Sequence, residues 1–395
     1  MNRLELNIYT NLALALFLAL LSSKIMKKLH LPNVTGYLII GLIAGPYCLK
    51  ILSVEVIEQF LIIPEIALGF IAFSIGSEFK LSYLKKVGKS PVIIAIAEAL
   101  GAVLVVDIAL IITGHDIAFS LVLGAIAAAT APAATLMVVR QYKAKGPVTR
   151  TLLPVVAIDD ALALMLYGIS IAIAKAIDSH GTVPLASSLF NPIIEIVGAL
   201  IFGAILGIIL KFLVKLYTGR GNRLTSCIAM ILFCIGVSNL LGVSALLACM
   251  AMSSVFVNIS NISITIYEQV DRLTPPIFML FFFISGAELD MSILPSVGVI
   301  GAIYVIFRVV GKVGGAALGA RIAHSEPVVQ KYLGFTLIPQ AGVAIGLATL
   351  AMAVVPDYGS EIRAIILSAT VIYELIGPIV AKTVLKKAGE IEDSL

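Results

Sequence analysis

Apolar runs of roughly 20 residues recur along the whole chain, and a helix that crosses a bilayer needs about 17–25 such residues. Of the 395 residues, 60% are hydrophobic and 13% are charged, whereas soluble domains have about 25% charged residues. The net charge of +4 arises from basic residues in short loops, which is not the pattern of a nucleic-acid-binding face. The composition therefore predicts an all-α polytopic membrane protein.

The apolar runs predict 13 transmembrane helices, and basic residues concentrate in every second loop, beginning with Lys24, Lys27 and Lys28. By the positive-inside rule, the N-terminus is expected outside and the C-terminus in the cytoplasm. The first run is interpreted as a helix rather than a signal peptide, and the four cysteines as buried thiols. The predicted spans are 6–26, 35–52, 60–77, 91–112, 117–138, 151–174, 190–216, 224–240, 243–257, 275–287, 296–321, 328–353 and 361–385.

Two stretches of the chain repeat at an offset of 210 residues: FSIGSEFKLSYL (73–84) and FISGAELDMSIL (283–294). Seven predicted crossings separate them, so the two copies are expected to run in opposite directions. This pattern is typical of the inverted-topology repeats of secondary transporters. We therefore expect one repeat over about 6–174, a linker helix over 190–216 and a second repeat over about 224–385.

The same offset relates TAPAAT (130–135) to IPQAGVAIG (338–346), in the middle of the fifth and twelfth spans. Proline disrupts a helix interior, and irregular backbone is tolerated at membrane depth only where it is buried or lines a cavity. The pair predicts two crossing broken helices that form a binding site near the midplane. Thr130, Thr135 and Gln340 offer polar groups there, for an ion or for the freed peptide groups.

Asp159 and Asp160 are the only charged residues between Thr151 and Ala174. A central aspartate costs about 2.5–3.5 kcal/mol on insertion scales, and such acids usually mark ion or proton paths. Neighbours on a helix point about 100° apart, so the two carboxylates need different partners. We expect one to face the ion cavity and the other to face a neighbouring helix.

The basic residues at a similar depth are Arg308 and Lys312, which share one helix face because they are four residues apart. Glu98 aligns with Arg308 at the offset of 210, which predicts a Glu98–Arg308 pair of mainly structural character. Lys312 is then available to form an ion pair with one of the two aspartates. Glu374, in the last span, is a further buried acid without an assigned partner.

These motifs resemble those of the cation:proton antiporter superfamily, and in particular bacterial Na⁺/H⁺ antiporters of the NapA type, whose site has two adjacent aspartates. The resemblance covers nearly the whole chain and lies in GYLIIGLIAGP (36–46), GSEF, TAPAAT, Ile-Asp-Asp (158–160), GAELD, GKVGG and PQAGVAIGLA. It implies a homodimer with a mobile core bundle over 60–174 and 275–385, and a dimerisation bundle of the remaining helices.

By this resemblance, Asp160 is the ion-binding carboxylate and Asp159 pairs with Lys312. We expect Asp160 and Asp159 to bind the Na⁺, and Thr130 of the first irregular stretch to be a further ligand. If Lys312 is deprotonated while the two aspartates hold Na⁺, two protons return for each ion, and the exchange is electrogenic. Arg308 is a departure, because related electroneutral members use an arginine in this helix. The partner of Asp159 therefore stays open between Lys312 and Arg308. A buried carboxyl group suits exchange because it can hold either a cation or a proton.

The sequence thus predicts a secondary antiporter of a bacterial inner membrane that exchanges Na⁺ or Li⁺ for H⁺ by alternating access, electrogenically and without a cofactor. A K⁺/H⁺ antiporter of the same superfamily is the nearest alternative, followed by a sodium-coupled organic anion symporter and a channel. An intramembrane aspartyl protease is disfavoured because that chemistry needs two aspartates on separate, facing helices.

Overall fold

The computed structural model describes residues 7–29, 31–77, 79–81, 88–178, 185–288 and 294–391, and the regular elements in these ranges are all helical. They are α1 Ile8–Lys28, α2 Asn33–Ala44, α3 Val54–Phe60, α4 Ile62–Gly76, α5 Ser90–Ile112, α6 Ile117–Ala127, α7 Pro132–Gln141, α8 Pro147–Asp178, α9 Leu185–Leu216, α10 Arg220–Leu241, α11 Ala245–Ile259, α12 Ser263–Glu288, α13 Leu294–Ile322, α14 Pro327–Tyr332, a 3₁₀ segment Leu333–Leu337, α15 Gly342–Val354 and α16 Pro356–Lys387.

Two helix ends show the capping chemistry that their residues predict. Asp116 precedes α6, and its carboxylate accepts hydrogen bonds from the N–H groups of Ala118 and Phe119. Such a side chain satisfies donors that have no partner inside the helix. At its C-terminal end, α10 stops at Gly242, whose φ of 66° is costly for residues with a Cβ.

Nine stretches of the described chain are long and apolar enough to cross a bilayer, and α2, α6 and α11 are shorter apolar helices. Large apolar side chains such as Leu104, Ile108, Ile306 and Val310 lie exposed on the outer faces of α5 and α13. An apolar outer surface is what a helix in contact with lipid presents. The predicted all-α membrane fold is confirmed, while the count of thirteen crossings stays a prediction.

The tenth predicted span and the predicted burial of Cys48 differ from the structure. The tenth span was expected at 275–287, but α12 is continuous from Ser263 through Pro275 and Pro276. Pro275 cannot bond the Asp271 carbonyl, and the Thr274 hydroxyl donates to that carbonyl instead, so the helix continues. Cys48 is exposed rather than buried because it lies in the turn after α2, whereas the other three cysteines are buried.

The order of helices in the first half recurs in the second half. The helices α8 and α16 both have 32 residues and begin with a proline, and each follows a helix that is interrupted midway. The opposite orientation of the two halves stays a prediction. Parts of the repeated motifs, including Glu78, Ser82, Leu84, Asp290 and Ser292, lie outside the described residues.

Buried apolar side chains form two clusters, and the second joins α5, α6, the C-terminal half of α8, α13, α15 and α16. The expected core bundle also included residues 60–77 and 275–287. In the structure α4 packs mainly against α11 and α12, and α12 packs mainly against α2 and α4. The packing thus groups α4 and α12 with each other and with helices of the expected dimerisation bundle.

Helices α5 and α13 make the most extensive contact of any helix pair in the described chain. Their backbones touch at glycines: a Cβ on Gly311 would lie 2.5 Å from the Gly101 carbonyl oxygen, and one on Gly315 would collide with the Ala97 carbonyl oxygen. Small residues permit such close approach between membrane helices. The crossing places Glu98 of α5 beside Lys312 of α13.

Candidate functional site

Two interruptions of the helices, residues 128–131 (the first break) and 338–341 (the second break), meet in the interior. Helix α6 ends at Ala127 and α7 begins at Pro132, while the second break separates the 3₁₀ segment from α15. The Ala131 N–H donates a hydrogen bond to the Pro339 carbonyl oxygen at 2.8 Å. The two breaks are therefore in direct contact, as the matched sequence motifs predict.

Arg308 bonds to the carbonyl groups that the breaks leave free. Its Nε donates to the Ala127 oxygen at 3.0 Å, its Nη2 to Ala129 at 2.7 Å and its Nη1 to Ile338 at 2.7 Å. The guanidinium is fully buried. A cation at helix C-termini also interacts favourably with the helix dipole. One side chain thus stabilises the carbonyl ends of both interrupted helices.

The predicted Glu98–Arg308 pair is therefore wrong. The rigid fork of an arginine suits several acceptors at fixed positions, and the freed carbonyls supply them. Tyr373 completes the surroundings: its ring centroid lies 4.5 Å from the Arg308 Cζ, and its hydroxyl donates to the Val305 carbonyl oxygen at 2.9 Å. Arg308 has a structural environment made of backbone and an aromatic face.

Gln340 and Thr135 also bind freed peptide groups rather than open space. The Gln340 Nε2 donates to the Ile126 carbonyl oxygen at 2.9 Å, and the amide exchanges hydrogen bonds with the Tyr304 hydroxyl. The Thr135 hydroxyl donates to the Thr336 carbonyl oxygen at 2.9 Å. Of the two roles that the sequence allowed for these side chains, the structure shows the one that satisfies the backbone.

Lys312 lies at the centre of a buried polar cluster. Its Nζ donates to Glu98 Oε2 at 2.6 Å, to Thr130 Oγ1 at 2.5 Å and to Asp159 Oδ2 at 3.1 Å. An ammonium group has three donors, and all three are used. We call Glu98, Thr130, Asp159 and Lys312 the lysine cluster. Its three charged side chains have no exposed surface. The expected contact between Asp159 and Lys312 is present.

The lysine cluster has one carboxyl group more than it has cations. Each carboxyl group also has an oxygen, Glu98 Oε1 and Asp159 Oδ1, that is buried and has no hydrogen-bond partner among the described atoms. A buried carboxylate without compensation is costly, and such groups bind a cation or a proton instead. The arrangement suits a site that takes up and releases positive charge.

Asp160 follows Asp159 directly in α8. The placement of its side chain lies outside the described part of the structure. Its predicted role as an ion ligand is therefore a proposal, taken up below.

Tyr304 and Tyr373 were not predicted as site residues, and neither was Glu98 as a partner of Lys312. Tyr304 lies four residues before Arg308 on α13 and thus on the same face, which is a signal that the sequence does contain. Two further buried acids, Glu374 on α16 and Asp107 on α5, each have a buried oxygen without a described hydrogen-bond partner. Glu374 was singled out from the sequence, and Asp107 was not.

The fold matches that of solved antiporters. Two structures of the sodium proton antiporter MjNhaP1 from Methanocaldococcus jannaschii superpose with TM-scores of 0.72 and 0.74 at 20% and 21% sequence identity. They cover 96% of this chain in both cases, and 98% and 95% of the respective matched chains. Together with the broken helices and the buried charges, this likeness defines an all-α membrane antiporter fold.

Sequence comparison gives the family. The Na(+)/H(+) antiporter NhaS4 of Synechocystis is 24% identical over 354 residues, which are 84% of this chain and 85% of the relative. The family described as sodium/hydrogen exchanger, transmembrane, matches residues 12–387. The chain belongs to the sodium/hydrogen exchanger family, and the predicted membership of the cation:proton antiporter superfamily is confirmed. It is a family of multi-pass transporters, not of enzymes.

Proposed function

We propose that this antiporter exchanges Na⁺ or Li⁺ for H⁺ by alternating access and moves net charge in each cycle. Family membership supports Na⁺/H⁺ antiport itself. The observation that carries the finer proposal is the position of Asp159, fully buried against Lys312 beside the two breaks. A buried acid at such a crossing is the arrangement expected of an ion site in a transporter.

In this proposal Asp160 and Asp159 bind the Na⁺, with the Thr130 hydroxyl as a further ligand. Surroundings of low polarity favour the neutral form of a carboxyl group, whereas a bound cation favours its charged form. Na⁺ and H⁺ therefore compete for the same oxygens. Because Asp159 Oδ1 has no described hydrogen-bond partner, it is available to a cation without the loss of an existing bond.

The moving unit in this proposal is the group of helices α5–α8 and α13–α16, which carries both breaks and the lysine cluster. Two observations support this grouping. The two breaks contact each other, and the second cluster of buried apolar side chains is formed by helices of this group. The remaining helices would form the dimerisation bundle of a homodimer. We place the protein in a bacterial inner membrane, with the N-terminus outside and the C-terminus in the cytoplasm.

Proton flux in proteoliposomes tests the proposal. Vesicles with purified protein receive Na⁺, Li⁺ or K⁺ in turn, with the voltage clamped by valinomycin where K⁺ is not the tested ion. Na⁺ and Li⁺ are expected to drive proton flux and K⁺ is not. Asp160→Asn should abolish the flux while leaving the protein folded, and Asp160→Glu should retain weak activity.

Asp357→Asn is the matched control, since Asp357 is an exposed acid in the first turn of α16. Its flux should equal that of the wild type. Substantial Na⁺-driven flux in Asp160→Asn would overturn the ion-site assignment. Flux driven by K⁺ alone would replace Na⁺/H⁺ exchange by K⁺/H⁺ exchange at the same site.

A further inference from the structure

The charges around Lys312 come from three helices. Glu98 faces it from α5 and Asp159 from α8, at 2.6 and 3.1 Å. Arg308 is one turn away on α13, but its guanidinium is bonded to three carbonyl oxygens and adds no bond to either acid among the described contacts. Thr130, from the first break, is neutral. Two acids therefore face one cation in a fully buried volume.

One ammonium group compensates one carboxylate. A second carboxylate in the same buried space would be an uncompensated charge, and like charges at this range cannot both be ionised without a large cost. Two carboxyl groups in this situation take up a single proton between them, and that proton belongs to the pair. The two acids accept from the same Lys312 Nζ atom, at 2.6 and 3.1 Å, so their carboxyl groups are direct neighbours. Asp160, the next residue in the sequence after Asp159, is also an acid and supplies no compensating positive charge.

We propose that Glu98 and Asp159 share one proton beside a permanently charged Lys312, and that Glu98 is thereby a proton-carrying residue of the exchange cycle. This inference rests on the proposed function. When Na⁺ binds to Asp159 and Asp160, the shared proton leaves, and Glu98 becomes the carboxylate that pairs with Lys312. When Na⁺ leaves, Asp160 takes up one proton and the Glu98–Asp159 pair takes up another.

The charges balance without deprotonation of the lysine. In the proton-loaded state, the charge of Lys312 is matched by the single negative charge of the Glu98–Asp159 pair, and Asp160 is neutral. In the sodium-loaded state there are three carboxylates, one ammonium and one Na⁺, so the site has one more negative charge. Two protons thus exchange for one Na⁺, and the cycle moves one net charge.

Proton release from the purified protein tests the proposal without any transport. Na⁺ is added to protein in weakly buffered detergent solution, an indicator dye counts the protons released, and calorimetry counts the Na⁺ bound. The wild type should release two protons per Na⁺ and Glu98→Gln should release one. Glu374→Gln and Asp107→Asn, which remove buried acids outside the lysine cluster, should still release two.

Release of two protons from Glu98→Gln would overturn the role of Glu98, and it would point to Lys312 as the second carrier. Absence of Na⁺ binding to the wild type would instead contradict the proposed function. The experiment therefore distinguishes failure of the Glu98 proposal from failure of the proposed function. A second measurement needs no variant: in the infrared difference spectrum of the wild type, Na⁺ should remove the carbonyl bands of two protonated carboxyl groups. Loss of one band with release of two protons would also overturn the proposal.

Discussion

The carboxylate of Glu390 accepts hydrogen bonds from both the N–H and the hydroxyl of Thr149, at 2.8 and 2.6 Å. It also accepts from the Val148 N–H at 2.6 Å, and Glu390 is buried. These N–H groups belong to the first turn of α8, where the helix itself offers no acceptor. A residue beyond the end of α16 therefore caps the helix that carries Asp159 and Asp160.

Glu390→Ala should lower the free energy of unfolding by about 1–3 kcal/mol, because it leaves two buried N–H groups without an acceptor. Hydrogen exchange at Val148 and Thr149 should become faster, which mass spectrometry can follow. Glu361→Ala, which removes an exposed acid of α16, should change neither property. Unchanged exchange at the start of α8 would contradict the capping role.

Lys312→Ala should be strongly destabilising, since it leaves Glu98 and Asp159 buried without their cation. Removal of one side of a buried ion pair typically costs about 3–5 kcal/mol. The triple variant Glu98→Gln, Asp159→Asn and Lys312→Gln should recover much of the loss, because no charge remains in the lysine cluster. Thermal unfolding in detergent measures both effects.

Lys215→Ala, which removes an exposed lysine of α9, is the control for the lysine variant and should unfold at the wild-type temperature. A triple variant as unstable as Lys312→Ala would show that the loss does not come from unpaired charge.

Arg308→Lys should destabilise the protein although the charge is kept. A lysine offers a point charge on a flexible chain and cannot reproduce the planar fork that reaches Ala127, Ala129 and Ile338. Hydrogen bonds from charged groups contribute about 1.5–3 kcal/mol each to stability. The loss of two should therefore lower the free energy of unfolding by at least about 3 kcal/mol. Arg363→Lys, at an exposed position of α16, should be neutral in the same unfolding assay.

Gly311→Ala should separate α5 from α13, because its Cβ would lie 2.5 Å from the Gly101 carbonyl oxygen. We expect lower thermal stability and weaker Na⁺ binding, since Glu98 and Lys312 lie on the two helices that move apart. Gly314→Ala is a close control: a Cβ there meets no atom within 4 Å. It should be neutral or slightly stabilising, because alanine favours a helix more than glycine does. Equal effects of the two changes would contradict the close-packing interpretation.

Cysteine labelling tests the inverted orientation of the two halves. Cysteines at Lys85 and Asp290, equivalent loops of the two repeats, should react with an impermeant maleimide from the cytoplasmic side and from the outside, respectively. The exposed Cys48 must be replaced first, while the three buried cysteines serve as internal controls for access. Reaction of both positions from one side would contradict the thirteen-crossing topology.

Much of this architecture can be predicted from the sequence because a chain in a bilayer must satisfy its backbone hydrogen bonds internally, which leaves few possible structures. Apolar length gives the spans, and the proline in TAPAAT gives the first break, since few other signals end a helix at membrane depth. The contact of Asp159 with Lys312 was expected from the motif resemblance. These features depend on local chemistry, which the sequence displays directly.

The partner of Arg308 could not be found in the same way. Alignment of the repeats placed Glu98 opposite Arg308, yet the acceptors that Arg308 uses are backbone carbonyls, which every residue has and no sequence pattern marks. Because the Arg308 guanidinium is bonded to these carbonyl oxygens, Glu98 forms its ion pair with Lys312 instead. The continuity of α12 was missed for a related reason: the Thr274 hydroxyl replaces a backbone donor, and this depends on a rotamer.

The hydrogen bond from Ala131 to Pro339, together with the guanidinium that bonds carbonyls on both sides of it, ties the two interrupted helices into one unit. A displacement of either helix end carries the other with it. The oxygens that we propose as ion ligands would then keep the same mutual distances whichever side of the membrane they face. The transporter would then discriminate between cations equally well on the two sides, and the direction of net exchange would depend on the ion gradients and, in the electrogenic cycle proposed above, on the voltage.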